Sequence, residues 1–295
     1  MLVAAATDRV RAAAGDLDGV DLRAIGDRPA DVEFLVPEWG EVPDLASMPK
    51  LRVVQVMSAG TDWIDDAVPD GVTLCSGRGS RDVPVAEWVV GAILGVATGL
   101  LRSARDGRWE HRSPAEVSGS RVLIVGHGSI GRAAAQRLEE LGAHVTGIGR
   151  SRLGELQELA GAADVVVDLV PLTDDSRRMF GAEVFAAMPD GALFVNAGRG
   201  GTVDQDALLA EVAGGRLCAV LDVTDPEPLP AGHPLWTAPG VLAITSHQAG
   251  DSAEADDRAV RIAVEQLRPT PRGSRCATWS GAVPSRPPAG PRTRA

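Results

Sequence analysis

Long apolar runs, clustered cysteines and an excess of basic charge are all missing from this 295-residue chain. The longest uncharged apolar stretch, residues 88–101, falls short of the roughly 20 residues a membrane-spanning helix needs. The N-terminal MLVAAATDR lacks the basic segment of a leader and meets Asp8 early. A soluble protein with no membrane partner is therefore expected. The three cysteines, Cys75, Cys218 and Cys276, are far apart, form no CxxC and join no His/Cys cluster. Neither a disulfide framework nor a zinc site is indicated, no metal is expected, and a reducing, cytoplasmic setting fits best. The net charge is −11, but residues 268–295 hold six arginines and no acid, which leaves 23 − 40 = −17 for residues 1–267. So acidic a body is a poor match for phosphate backbones, so no nucleic-acid partner is expected.

What is present suffices for two cores. The length exceeds one ordinary domain, and 44% of the residues are hydrophobic. Residues 1–80 mix a helical segment (8–14) with short apolar strands near 32–36, 52–56 and 72–75, broken by Pro and Gly. Pro84 then opens a helix read over 84–105, apolar nearly all round, as expected of a helix buried between domains. From 121 to 246 six apolar segments, RVLIV, HVTGIG, DVVVDLV, LFVN, CAVLDV and VLAIT, alternate with helical or loop stretches. That alternation predicts a doubly wound parallel α/β sheet. The expected division is a dinucleotide-binding (Rossmann) domain at 87–254 and a smaller, flavodoxin-like α/β substrate domain at 1–86 with 255–295. A last helix spans 252–267, and the Pro/Gly/Arg-rich tail 268–295 is expected to be disordered.

The first strand runs into Gly126-His127-Gly128-Ser129-Ile130-Gly131. A strand, a GxGxxG turn and a helix start in that order form a pyrophosphate cradle. The glycines allow the tight turn, close backbone approach and close helix packing, and the helix N-terminus faces the anion. Sites specific for NAD place an acid about 20 residues beyond the first glycine, where it takes the ribose hydroxyls. Here the second strand ends at Gly149, followed by Arg150-Ser151-Arg152. Guanidinium forks and a hydroxyl suit a 2′-phosphate, so NADPH is the expected cofactor.

Ligands gather at the carboxyl ends of parallel strands. There LFVN leads into Arg199, CAVLDV into Glu227, and VLAIT into His247. An arginine, a histidine and a carboxylate at one sheet edge supply a fork for a carboxylate, a proton carrier, and a group to orient and charge it. His111, His127, His144 and His233 are read as packing or surface residues, and Trp39 as a core or rim residue.

These stretches, with Ser58-Ala59-Gly60-Thr61-Asp62, Val85-Ala86-Glu87, Pro171-Leu172-Thr173, Asn196-Ala197-Gly198-Arg199-Gly200, Leu221-Asp222-Val223 and Thr245-Ser246-His247, resemble the D-isomer-specific 2-hydroxyacid dehydrogenases, near the glyoxylate and hydroxypyruvate reductase branch. The resemblance implies that Arg199 binds the substrate's carboxylate and keto oxygen, His247 donates a proton, and Glu227 pairs with it. It further implies that Asp222 contacts the nicotinamide carboxamide, that Pro171 lies in the cofactor site, and that the Ala59-Gly60 backbone takes the substrate carboxylate. The chain departs from the pattern at Ser246, where the family has proline, and after the last helix, where the family returns to complete the substrate domain. The expectation is an NADPH-dependent reductase of a small 2-oxoacid, working as a homodimer. The alternative is a catalytically weak NAD(P)-sensing corepressor of the same fold.

Overall fold

The structure, a computed structural model, describes residues 1–268 other than residue 112. The chain forms two units, Met1–Arg81 together with the segment from Ser252 onward, and Asp82–Asp251. The disorder expected of the tail concerns residues outside those described, apart from Arg268.

The first unit begins β1 (Leu2–Ala6), α1 (Asp8–Ala14), β2 (Val20–Ala24), β3 (Phe34–Val36), β4 (Val53–Gln55) and β5 (Thr73–Cys75). Its strands make one parallel sheet in the order β2-β1-β3-β4-β5, the flavodoxin-like order. Successive side chains point to opposite faces. Ala4, Ala6, Phe34 and Val36 thus enter one core, while Ala5, Leu35 and Val54 enter another. The sequence pattern does not mark β1 and β2. LVAAA is rich in alanine, a poor strand former, and every residue of β2 is half-exposed, which blurs its alternation. Trp39 is 62% exposed, which excludes the core and leaves the rim of the two positions expected for it.

The second unit contains α2 (Asp82–Ala97), α3 (Leu100–Asp106), β6 (Arg121–Val125), α4 (Ser129–Glu140), β7 (His144–Ile148), α5 (Leu156–Gly161), β8 (Val165–Asp168), α6 (Ala182–Ala187), β9 (Leu193–Asn196), α7 (Gln205–Ala213), β10 (Cys218–Leu221) and β11 (Val241–Ile244). The single helix expected over 84–105 is two helices bent by 71°. Gly99, at φ 73°, ends the first run and starts the second, a left-handed conformation that glycine adopts without steric cost. Among the described residues no single helix is long and apolar enough to cross a membrane.

All six strands pair in parallel, in the order β11-β10-β9-β8-β6-β7. The chain leaves β6 on one side for β7 and crosses to β8 on the other, so β6 and β8 flank the switch point where doubly wound sheets bind ligands. On one face α2 and α4 cover Val122, Ile124, Val167 and Val195; the other face is packed around Phe180, Phe185 and Phe194. Phe194 meets Phe180 at a centroid distance of 5.2 Å and Phe185 edge-on at 5.1 Å. The last helix, α8 (Ala253–Leu267), is capped by the Ser252 hydroxyl and belongs to the first unit. It buries Val260, Ala263, Val264 and Leu267 against β1 and β3, with Arg9 of α1 bridging to Asp256 and Asp257 at 2.8 and 3.0 Å.

Since Phe194 is fully buried and contacts both other rings, Phe194→Ala should lower the unfolding free energy by about 3–5 kcal/mol. Urea denaturation followed by circular dichroism checks this; a loss below about 1 kcal/mol would mean that the ring is not a core element.

Candidate active site

At the carboxyl end of β6 the chain turns through Gly126, with φ 96°, into α4. A Cβ at Gly126 would lie 2.5 Å from the Leu169 carbonyl oxygen, and one at Gly131 would lie 2.5 Å from the Gly126 carbonyl oxygen. Any side chain would fill this cradle. Gly128 caps α4 without a side-chain hydrogen bond, and no acid stands in the first turn. The helix therefore presents N–H groups and its positive dipole end without a neutralising side chain of its own, as a dinucleotide pyrophosphate requires. The Ser129 hydroxyl donates to Asp82 at 3.0 Å, so what Ser129 can offer a ligand is its main-chain N–H. Ile130 packs partly into the core.

His127 sits over β7, where a Cβ at Gly147 would come within 2.1 Å of its Nδ1. That nitrogen is buried without a hydrogen-bond partner. Beyond β7, residues Arg150–Glu155 form a 3-10 stretch. Arg150, Ser151 and Arg152 are exposed, and Arg152 forks onto Glu155 at 2.9 and 2.6 Å. Pro171 follows β8, its carbonyl accepting the Ser176 hydroxyl at 2.7 Å.

Three loops meet at the same sheet edge. After β9, Arg199 is half-buried and donates to its neighbour's carbonyl at Gly198 at 2.8 Å. Asn196 anchors this turn, accepting the Gly198 N–H at 2.9 Å and donating to the Arg199 carbonyl at 3.2 Å. After β10, Glu227 accepts the Thr224 N–H at 3.0 Å through Oε1 and faces His247 Nδ1 at 2.9 Å through Oε2. The peptide bonds Asp225–Pro226 and Glu227–Pro228 are cis. After β11, His247 adopts φ 54°, a left-handed conformation that non-glycine residues seldom take. Asp222 holds it there. Its main-chain carbonyl accepts the His247 N–H at 2.8 Å, its Oδ1 takes the Thr245 hydroxyl and the Gln248 N–H, and its Oδ2 takes the Ala249 N–H. A carboxylate accepts about four hydrogen bonds, so one site on Oδ2 remains for a further donor.

The hydrogen bond to Glu227 raises the His247 pKa above its ordinary value, against burial, with the charges of Glu227 and Asp222 adding and that of Arg199 opposing. Burial alone would push Glu227 up; the His247 bond, the Thr224 N–H and the positive charges of His247 and Arg199 outweigh it and hold the carboxylate below its usual range. The pair is thus arranged to be an ion pair near neutral pH.

Ala59 and Gly60 belong to the other unit, in the turn after β4. Ser58 braces that turn, donating to the Gly60 carbonyl at 2.6 Å and accepting from Trp63 Nε1 at 3.0 Å. Two residues beside Arg199 that no sequence motif marks, Asp168 and Thr202, are both fully buried. The signal was an acid closing the otherwise apolar strand VVVD.

A doubly wound sheet with a glycine cradle at its switch point, and a charged arginine, histidine and glutamate at the same edge, defines a nucleotide-dependent oxidoreductase class of site. The chain belongs to the D-isomer specific 2-hydroxyacid dehydrogenases: the family's NAD-binding domain matches residues 92–249. It is thereby a nicotinamide-dependent 2-hydroxyacid dehydrogenase. It is 34% identical over 224 residues to glyoxylate/hydroxypyruvate reductase B of Citrobacter koseri, covering 68% of this chain and 69% of the relative. Against D-3-phosphoglycerate dehydrogenase of Methanocaldococcus jannaschii it is 30% identical over 244 residues, 76% of this chain but only 46% of that longer protein. The NADPH-dependent glyoxylate/hydroxypyruvate reductase of Sinorhizobium meliloti, solved with NADP and sulfate, superposes with a TM-score of 0.74 at 27% identity, covering 90% of this chain and 93% of that one.

The His247 imidazolium should titrate above the ordinary histidine value in the wild type and at a lower pH in Glu227→Gln, which removes the largest cause of the shift. The raised folded-state pKa adds stability that is complete below the unfolded value and lost as pH rises through the folded one. Two-dimensional NMR of the histidine ring checks the shift; identical titrations in both proteins would show that Glu227 does not charge the ring.

Proposed function

We propose that the chain is an NADPH-dependent reductase that converts a small 2-oxoacid, such as glyoxylate or hydroxypyruvate, to the D-2-hydroxy acid. The observation that carries this reading is the 2.9 Å His247–Glu227 pair with the Arg199 charge beside it, at the edge that bears the glycine cradle. Nicotinamide, when bound, supplies the hydride. In this reading Arg199 receives the substrate carboxylate and keto oxygen; the planar fork meets both, and its charge stabilises the oxygen as negative charge grows there. His247, held through Nδ1 by Glu227, gives its proton to that oxygen and is recharged from solvent. Asp222 sets the loop from which the imidazole projects. The Ala59-Gly60 main chain is assigned to the substrate carboxylate by resemblance.

His247→Ala should lower kcat by about 10²–10⁴ with little change in cofactor affinity, and Arg199→Lys should raise KM and lower kcat together. Steady-state oxidation of NADPH by glyoxylate tests both. A cofactor-sensing corepressor would bind NADPH with negligible turnover, so an inactive wild type that binds cofactor would overturn the enzyme reading. A cytoplasmic homodimer is part of the proposal, and a monomer mass by light scattering would remove the dimer.

Cofactor choice rests on Arg150-Ser151-Arg152 in place of an acid. Arg152 is already forked onto Glu155 and must exchange that partner for a phosphate, whereas Arg150 is assigned the direct contact. Arg150→Ala should therefore weaken NADPH by roughly tenfold to a hundredfold, with NADH little affected, and Arg152→Ala should cost less. kcat/KM for both cofactors decides this; a wild type that prefers NADH would reverse it.

A further inference from the structure

The proposed reaction leaves one buried acid unused. Asp168 closes β8 with no exposed surface, between Val125 of β6 and Asn196 of β9. Its Oδ1 accepts the Val170 N–H at 2.9 Å, and its Oδ2 lies within hydrogen-bonding distance of the Thr202 hydroxyl. The same hydroxyl is 2.6 Å from the Arg199 carbonyl oxygen. A threonine hydroxyl carries one hydrogen, and here it faces two oxygens. If Asp168 were ionised both would be acceptors, and one of the two close contacts would have no proton. If Asp168 is protonated the count closes, because Asp168 donates to Thr202 and Thr202 donates to the Arg199 carbonyl.

We propose that Asp168 is a positioning residue for Arg199 that works as a neutral acid, its carboxyl proton completing a chain through the Thr202 hydroxyl to the Arg199 main-chain carbonyl. The proposal rests on the reading of Arg199 as the substrate-binding arginine. Burial pushes the Asp168 carboxyl up to about 7, against the Thr202 bond, the Val170 N–H and the charge of Arg199. Its neighbours Val125 on β6, Asn196 on β9, and Gly200, Gly201 and Thr202 on the adjoining turn are not titratable. Arg199 is the charged group whose field reaches it, and that field favours ionisation. The backbone covers it too, since a Cβ at Gly198 would lie 3.2 Å from Oδ1. When Asp168 ionises, the Thr202 proton turns to the carboxylate. The Arg199 carbonyl then keeps its longer bonds, from Asn196 Nδ2 at 3.2 Å and the Thr202 N–H at 3.3 Å. Substrate binding should loosen as pH rises through neutrality.

Asp168→Asn tests this, because the amide keeps an acceptor for Val170 and a donor for Thr202 but cannot ionise. The raised pKa of the folded wild type gives stability that is complete below the unfolded carboxyl value of about 3.9 and lost as pH rises through about 7. The wild-type melting midpoint should therefore fall by several degrees relative to Asp168→Asn between about pH 5 and pH 8. Over the same range KM for glyoxylate should rise several-fold in the wild type and stay closer to level in Asp168→Asn. His247 titrates in both proteins, so the difference isolates Asp168. Thr202→Val should raise KM at every pH, and Thr202→Ser should restore the wild-type profile. A melting difference that does not change with pH, or KM profiles that coincide, would overturn the proposal. A wild type that reduces no 2-oxoacid would instead refute the proposed function. Hydrogen exchange of residues 197–203 without substrate then decides the positioning role: faster in the wild type than in Asp168→Asn at about pH 8 supports it, and equal exchange overturns it.

Discussion

The close approach of two backbones, at Gly200 after β9 and Thr224 after β10, is the constraint on which the catalytic edge depends. A Cβ at Gly200 would lie 1.9 Å from the Thr224 carbonyl oxygen, so only glycine lets the loops meet. Their contact brings the turn of Arg199 beside the loop of Glu227, and Gln205 at the start of α7 braces that loop through the Asp225 N–H and carbonyl. Parallel strands alone bring loop origins to one edge; this contact sets how far apart the charged groups stand. The third loop joins through Asp222, whose side-chain bonds to Thr245, Gln248 and Ala249 stabilise the left-handed turn at His247.

Around this edge, carboxylates in three environments acquire three characters. Glu227, half-exposed and bonded to a cationic ring and an N–H, is held ionised. Asp222, almost wholly buried, is surrounded by donors. Asp168, fully buried against a single hydroxyl and one N–H, is shifted towards its neutral form. Desolvation acts on Glu227 and Asp168, and the donors and positive charge that answer it decide the outcome. One fold thus supplies an ionised orienting group and a carboxyl shifted towards its neutral form within the same few loops.

The cofactor turn shows a comparable division of labour. Gly126 and Gly131 let the turn approach the Leu169 carbonyl and pack on itself, where a Cβ would strike backbone oxygens. Gly147 on the neighbouring strand makes room for the His127 ring. At the next turn the same economy is absent: Arg152 is paired on the surface with Glu155, an exposed contact that solvent screens and a more highly charged ligand could displace.

Much of this was legible in the sequence, because it depends on local rules. Continuous apolar strands, a GxGxxG turn between a strand and a helix, and the order of RVLIV through VLAIT determined a doubly wound sheet and placed Arg199, Glu227 and His247 at its carboxyl edge. β1 and β2 were hidden by alanine and by an exposed edge, and the bend at Gly99 by an apolar pattern that runs through it. What only the tertiary structure decided is how groups distant in the chain share hydrogens. Ser129 turns to Asp82 and Asp222 to the histidine loop, while Asp168 and Thr202, 34 residues apart, meet beneath Arg199. Periodicity registers which face a side chain takes. It carries no record of the number of donors waiting there, and for a buried acid that number, set by packing, fixes whether it carries a charge.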